Sequence, residues 1–304
     1  MKKVILFFSV ILLSIVSCST NEDPIVTPDP EIINPDPVIP TSFILPKKII
    51  NLTDNVVKST ANIIYNGNKI IEGTTVKSNG TTKDVFTYTG DLITKIEVIS
   101  GGVIKYSNEF QYDSNTRLSV ELSDDEFFEN SVAVRRKTKK VFTYNPDGTV
   151  LETNFKLVNS IYENTGTTSV YTLANGNEIK KVTNGSYSYP SGINGEISTT
   201  NTITTVVKEY DTKINPLKNI LGFEKLTLTS RYSVNNILKR TNSSTSTTNN
   251  IANPIMPANV ANFNLIYNTN NYLSERKSTS TNTSTINGVT TTTTSNNSEQ
   301  YFYE

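Results

Sequence analysis

The sequence is poor in the residues that carry most enzyme and metal chemistry. Its 304 residues include a single cysteine, Cys18, and no histidine or tryptophan. Without histidine the chain lacks the commonest general base and the imidazole metal ligand, which excludes serine–histidine and cysteine–histidine catalysis within it. One cysteine cannot form an intrachain disulfide, so the fold must depend on a packed core.

No cofactor or metal motif compensates for these absences. The sequence contains no G-x-G-x-x-G, phosphate-binding loop, G-x-S-x-G or zinc-ligand spacing. We therefore predict a non-enzymatic protein with no catalytic residue, cofactor or metal site; a hydrolase that uses two carboxylates is the enzymatic alternative. The 28 basic residues balance 28 acidic residues, which argues against a nucleic-acid partner, because such partners require a basic excess.

The N-terminal residues have the pattern of a secretory signal. A Met-Lys-Lys start precedes an apolar run, Val4–Val16, which is shorter than the roughly 20 residues that a membrane-spanning helix needs. The run ends in Ile15-Val16-Ser17-Cys18, which resembles the bacterial lipobox. The resemblance implies cleavage between Ser17 and Cys18 and acylation of Cys18, which would anchor the mature chain to a membrane. A plain signal peptide with an incidental cysteine is the alternative.

A proline-rich segment follows the cysteine. Seven of the twelve prolines lie between Ser19 and Lys48, and because proline fixes φ and donates no hydrogen bond, this segment predicts a semi-extended tether. The acidic pair Glu22-Asp23 is similar to the surface-export signal of Bacteroidetes-type lipoproteins, with retention on the periplasmic side as the alternative. We predict a signal peptide over residues 1–17, a lipidated cysteine and tether over 18–48, and a single domain over 49–304.

The predicted domain is all-β. From Ile49 onward the chain is rich in Thr, Ser, Asn, Val, Ile, Tyr and Phe, arranged in short alternating runs. Asn-Gly accepts the positive φ values of a type I′ turn, so each such pair between β-prone runs predicts a tight hairpin. The only helical candidate is a single turn over Asn215–Phe223. The Asn-Gly pairs are Asn66-Gly67, Asn79-Gly80, Asn175-Gly176, Asn184-Gly185, Asn194-Gly195 and Asn287-Gly288.

An internal repeat is visible when the tyrosines are aligned. In each copy an apolar strand ends at Tyr, a polar turn follows, and an aliphatic residue opens the return strand. The repeat predicts an antiparallel meander of many hairpins, curled or partly closed because open edges invite aggregation, with the aromatic and aliphatic residues in a concave core. The repeat is compatible both with a curled sheet and with a closed barrel. The copies span residues 86–98, 110–122, 142–155, 208–221, 230–242 and 265–278.

Two of these copies carry a further motif. Tyr112-Asp113 and Tyr210-Asp211, the latter followed by Asn215-Pro216, resemble the YD-repeat-like β-repeats of Bacteroidetes-type outer-membrane lipoproteins. The resemblance covers roughly residues 63–304. It implies a curled antiparallel meander and an outer-membrane location, and it assigns no chemistry.

The strongest charge feature is an acidic segment followed by a basic one. It would suit calcium or glycosidic carboxylate chemistry, or a basic strip that faces lipid phosphates. We favour an exposed hairpin whose two arms pair opposite charges, because no calcium-loop spacing is present. The residues are Asp124, Asp125, Glu126 and Glu129, followed by Arg135, Arg136, Lys137, Lys139 and Lys140.

These features predict a lipid-anchored outer-membrane β-repeat protein that acts as a scaffold or interaction module in the cell envelope. Its partners would be the membrane, through acyl chains on Cys18, and envelope proteins or glycans. The alternative function is a surface glycan- or ligand-binding lipoprotein, and a third is a lipid carrier whose curled sheet holds lipid. The repeated tyrosines favour a structural tyrosine ladder over a sugar-stacking face.

Overall fold

The computed structural model describes residues 44–129, 132–191, 196–229, 231–255, 257–286 and 289–303, without the side chains of 282–291. All of these belong to one compact unit, residues 42–304. The predicted cleavage site at Ser17 and Cys18, the signal peptide and almost all of the tether lie outside the described residues.

The described chain consists almost entirely of antiparallel strands. β1 begins at Pro46, slightly before the predicted domain boundary at Ile49. No helix among the described residues is long and apolar enough to cross a bilayer. The strands are β1 (Pro46–Thr53), β2 (Val56–Asn66), β3 (Lys69–Lys77), β4 (Gly80–Thr89), β5 (Leu92–Ser100), β6 (Val103–Tyr112), β7 (Leu118–Glu129), β8 (Val132–Tyr144), β9 (Thr149–Val158), β10 (Ile161–Ala174), β11 (Asn177–Ser191), β12 (Glu196–Ile214), β13 (Asn235–Thr248), β14 (Ile251–Ala252), β15 (Asn259–Tyr267), β16 (Leu273–Ile286) and β17 (Val289–Tyr303).

The sheet closes on itself. Each strand pairs with its sequence neighbours, except at the two-residue strand β14: β14 pairs with β13, and β13 pairs directly with β15. Pairing between β1 and β17 closes the sheet. The two strands are antiparallel, with Pro46 opposite Tyr303 at one end and Thr53 opposite Asn297 at the other. Sixteen of the seventeen strands therefore form a closed barrel. The predicted antiparallel meander is confirmed. The sequence predicted a curled or partly closed sheet, whereas the sheet is fully closed, which removes its free edges.

The barrel has two different ends. Strands β2, β4, β6, β8, β10, β12, β15 and β17 run toward one end, where β1 begins; we call it the floor end. Strands β1, β3, β5, β7, β9, β11, β13 and β16 run toward the opposite end, which we call the rim end. Because the copies of the tyrosine repeat turn at the floor end, the aromatic residues are concentrated there.

The connection between β12 and β13, residues 215–234, closes the floor end and is called the plug. Its Leu221 amide donates to the Asn68 carbonyl at 2.9 Å, and its Asn219 side chain donates to the Ile44 carbonyl at 3.1 Å. Asn177, at the start of β11, accepts the Val234 amide at 2.8 Å. These partners lie in separate parts of the barrel wall, so the plug crosses the interior.

The plug corrects two predictions. The predicted helical turn over Asn215–Phe223 is wrong, because this segment forms non-helical turns and a 3₁₀ helix, Phe223–Thr229, begins where the helix was expected to end. The repeat copies over 208–221 and 230–242 are likewise not simple hairpins, since the plug separates their strands. Gly222 has φ +81°, and a Cβ there would lie 2.9 Å from the Asp91 carbonyl oxygen, so glycine permits both the turn and the close approach.

The core fills the floor end of the barrel. Residues from the plug, such as Leu226 and Phe223, pack with inward-facing residues of the strands, such as Ile93 and Leu118. Leu226 and Ile93 are fully buried. Burial of this kind contributes about 1.5–3 kcal/mol for each large aliphatic or aromatic side chain. The lumen is therefore filled with apolar side chains at the floor.

The tyrosine ladder predicted from the repeat forms in part. Five tyrosine hydroxyls donate to a backbone carbonyl near the start of the preceding strand, which joins the floor ends of two strands. Among the aligned repeat tyrosines, Tyr88 donates instead to the Leu221 carbonyl and Tyr267 to the Asp211 carboxylate. Desolvation by burial raises the pKa of Tyr144 to about 12. The bonds are Tyr65 to Pro46 (2.8 Å), Tyr112 to Ile93 (2.6 Å), Tyr144 to Leu118 (3.0 Å), Tyr210 to Glu178 (2.8 Å) and Tyr303 to Leu273 (2.7 Å).

The Asn-Gly predictions have mixed outcomes. Asn175-Gly176 is the two-residue turn between β10 and β11, with φ of 51° and 74°. Asn66-Gly67 and Asn79-Gly80 lie at turns but shifted by one residue. Asn184-Gly185 is wrong, because it lies inside β11, which is paired on both sides there. The pairs at 194–195 and 287–288 lie outside the described residues.

Candidate functional site

The charged segments form the predicted ion-paired hairpin. Asp124 and Asp125 on β7 lie opposite Lys137 and Arg136 on β8. The Arg136 guanidinium contacts the Asp125 carboxylate at 2.7 Å. In the part of the chain that is described, no group of three or more Asp, Glu, Cys or His residues could hold a metal ion, and these carboxylates are occupied by ion pairs.

Lys140 belongs to a different environment, a belt of charges inside the barrel above the core. Its ammonium contacts the Glu121 carboxylate, which is 3% exposed, at 2.9 Å. Glu121 also accepts a 2.7 Å hydrogen bond from Asn108. Further around the barrel, the Lys208 ammonium lies 3.0 Å from Glu178. A belt of this kind keeps the lumen polar beyond the apolar floor.

Glu152 lies at the centre of this belt. It accepts hydrogen bonds from Tyr171 at 2.5 Å and from Asn154 at 2.9 Å, and Lys181 lies 3.7 Å away. Desolvation by burial raises the pKa of Glu152, but the Lys181 charge and the hydrogen bonds outweigh it, so the pKa lies below its usual value. The carboxylate is therefore ionised at neutral pH and structurally partnered.

The outer wall is charged as well. Successive side chains in a strand point to opposite faces, so Lys95 and Glu97 point outward on either side of the buried Ile96. Lys95 contacts Glu97 at 2.8 Å and Glu109 at 4.0 Å. The same alternation places other ion pairs outside: Lys83 with Glu72, Arg135 with Asp124, Lys239 with Glu209, and Lys277 with Glu275.

A cavity of about 210 Å³ lies between the plug and the inward faces of β12, β13, β16 and β17; we call it the floor cavity. Three cationic side chains line it, and Glu299 is the one carboxylate among its lining residues. Arg276 contacts Glu299 at 2.5 Å, and Tyr301 donates to the same carboxylate at 2.6 Å. The lining residues are Lys208, Tyr210, Asn215, Leu217, Arg231, Tyr232, Ser233, Ile237, Arg276, Glu299 and Tyr301.

Two polar groups of the floor cavity lack partners. The Arg231 Nε is buried and has no hydrogen-bond acceptor in the described part of the chain; an Nη atom donates weakly to Tyr106, at 3.4 Å. The Tyr232 hydroxyl has no hydrogen bond to any described residue, and desolvation by burial raises the Tyr232 pKa to about 12. A buried polar atom without a partner, such as the Arg231 Nε, is costly, and a bound water or ion is one way in which such an atom is satisfied.

Two further cavities lie on the rim side of the floor cavity. One of them, the second cavity, has a volume of about 210 Å³ and shares the ion-paired residues Arg276 and Glu299 with the floor cavity. A third, about 650 Å³, shares Phe263 and Asn297 with the second and extends to Asn55 in the turn after β1. Asn, Ser and Thr residues make up most of the lining of these two cavities, so the barrel interior on this side is polar between the plug and the rim.

Sequence reasoning did not find the residues of the floor cavity. Lys208 precedes Tyr210 by two positions, so strand alternation alone would have placed both on the inward face. Arg231 carries no comparable signal, because its position depends on the path of the plug. The residues that were predicted, from Asp124 to Lys139, lie on the β7–β8 hairpin instead.

Two solved structures are similar to this chain. No protein-family model and no curated protein matches the chain. Among solved structures, a porin-like protein from Bacteroides vulgatus is 13% identical, with a TM-score of 0.48, over 86% of this chain and 99% of that one. A porin-like protein from Bacteroides uniformis is 10% identical, with a TM-score of 0.23, over 87% and 99% of the two chains.

Proposed function

We propose that this chain is a lipid-anchored outer-membrane protein of the cell envelope whose barrel stands in water and acts as a non-enzymatic interaction module. The lipobox-like Ile15–Cys18 supports the anchor, with Cys18 as the acylated residue, and the proline-rich segment supports a tether. The observation that carries the proposal is the charge on the outer wall.

A barrel that spans a membrane needs an outward apolar band about 25 Å tall. β4 has 10 residues, which at about 3.3 Å per residue and a tilt of about 40° reach a height of about 25 Å. Such a band would therefore include all of β4 and its neighbour β5, with Lys83, Lys95 and Glu97. Each lysine at the bilayer midplane would cost about 2–4 kcal/mol, so the wall favours water.

The floor end argues against a channel function. The plug and the core occupy the lumen there, with Leu226 and Ile93 fully buried. An open pore would require the plug to leave and would expose this apolar surface to water. A lumen that is polar toward the rim and closed at the floor suits the binding of a partner or ligand, which is the role we propose.

The test separates the anchor from the barrel. Residues 1–18 are replaced by a cleavable signal without a lipobox, so that the mature chain begins at Ser19, and the cells are fractionated without detergent. We expect this variant in the soluble periplasmic fraction, with the circular dichroism of a β protein, and the wild-type chain in membranes. A Cys18→Ala variant should retain its signal peptide.

Flotation in a density gradient distinguishes membrane insertion from aggregation. If the unlipidated chain floats with membranes, or raises the conductance of a planar bilayer, the barrel is inserted in lipid and the proposed function is wrong.

A further inference from the structure

We propose that the floor cavity binds the carboxylate of a sugar acid, at Arg231. The inference rests on the proposed function, because it names the class of ligand that the interaction module takes.

The charge balance of the floor cavity favours an anion. Arg276 is neutralised by Glu299 and Lys208 by Glu178, but Arg231 forms no ion pair with any described residue. Asp84 interacts with Arg231 electrostatically, beyond ion-pair distance. Arg231 therefore lines the cavity without a carboxylate at ion-pair distance among the described residues, while its guanidinium carbon lies 6.0 Å from the centroid of the Tyr106 ring. A guanidinium binds a carboxylate with matched geometry.

The remaining polar groups favour a hydroxylated ligand. The Tyr232 hydroxyl has no hydrogen bond to any described residue. Ser233 and Asn215 also line the cavity, where the Asn215 amide donates to the Ser233 hydroxyl at 3.3 Å. The cavity of about 210 Å³ holds about seven waters at about 30 Å³ each, which is suited to a single small ring. A purely apolar ligand would leave the Arg231 donor unpaired and is disfavoured.

The polar cavities on the rim side of the floor cavity suit a ligand longer than one ring. Asn51, Ser278 and Asn297 line the second cavity, and their amide and hydroxyl groups both donate and accept hydrogen bonds. An acidic saccharide would therefore bind the plug through its carboxylate, and its neutral sugar units would form hydrogen bonds with these residues.

The experiment is a calorimetric titration of the full mature chain with D-galacturonate, D-galactose and inorganic phosphate. We expect galacturonate to bind and galactose to bind at least about tenfold more weakly. Arg231→Gln should weaken galacturonate binding about ten- to a hundredfold, which corresponds to about 1.4–2.8 kcal/mol at about 1.4 kcal/mol per decade. Arg135→Gln is the matched control, because it removes the same charge from the outer wall, and it should leave binding unchanged.

Tyr232→Phe provides a second variant that keeps the volume of the plug, and it should weaken galacturonate binding even if Arg231→Gln does not fold. The inference is wrong if galactose binds as tightly as galacturonate, if phosphate binds but galacturonate does not, or if no probe binds at millimolar concentration. It is also wrong if neither cavity variant changes the affinity. Fractionation tests the proposed function without any ligand, so the two failures are distinguishable.

Discussion

The substitution Gly222→Ala tests whether the plug is a tightly packed part of the fold. Gly222 has φ +81°, and an added Cβ would lie 2.9 Å from the Asp91 carbonyl oxygen and 3.2 Å from the Ile93 amide nitrogen. The left-handed conformation costs an alanine about 1–2 kcal/mol. The contacts are with backbone, so the plug must shift, and overpacking of this kind costs a further 1–3 kcal/mol or so.

Gly148→Ala isolates the packing contribution. Gly148 has φ +83°, and nothing lies within 4 Å of its added Cβ, so only the conformational cost of about 1–2 kcal/mol applies. The melting temperatures of the two variants are measured on the unlipidated mature chain by thermal unfolding, monitored by circular dichroism. At about 2–4 °C per kcal/mol for a chain of this size, Gly222→Ala should melt roughly 2–12 °C below Gly148→Ala. Equal melting temperatures would refute the close approach of the plug to the β4–β5 turn.

Two further predictions concern buried polar groups. Tyr112→Phe removes the 2.6 Å bond to the Ile93 carbonyl and should lower the free energy of unfolding by about 0.5–1.5 kcal/mol; no change in the urea midpoint would contradict a structural role for the ladder. Glu152 has a folded-state pKa below its usual value, so its contribution to stability is complete above the unfolded pKa of about 4.3 and is lost as the pH falls through the folded pKa. The stability gap between wild type and Glu152→Gln, measured in urea, should therefore shrink as the pH falls below about 4.3, and a gap that stays constant would contradict this.

The tyrosine repeat was predictable because its signal is local. The polar residues between Tyr88 and Leu92, or between Tyr144 and Val150, are enough for a tight turn, and strand alternation then fixes which side chains face the core. The same logic predicted the ion pairs between Asp124 or Asp125 and the facing strand. These features depend on residues that are close in sequence.

The remaining features depend on contacts that are distant in sequence. Tyr210 and Tyr232 carry the repeat pattern, but the segment between them enters the barrel because Gly222 and its neighbours fit against the β2–β3 and β4–β5 turns. Closure depends on the pairing of β1 with β17, and no local pattern encodes that register. The Asn184-Gly185 pair shows the converse case, in which pairing on both sides of β11 overrides a strong turn signal.

The plug links the core, the barrel and the candidate site. Its Leu226 is buried in the core, while its Arg231 and Tyr232 line the floor cavity. A ligand that binds these two side chains would bind the folded chain and not the unfolded one, and it would stabilise the fold by RT ln(1 + [L]/Kd). Since the plug packs against the wall at Gly222, a displaced plug would lose both the core contacts and the geometry of the cavity. Stability and ligand affinity should therefore decline together in plug variants, whereas variants of the outer wall, such as Arg135→Gln, should leave affinity unchanged.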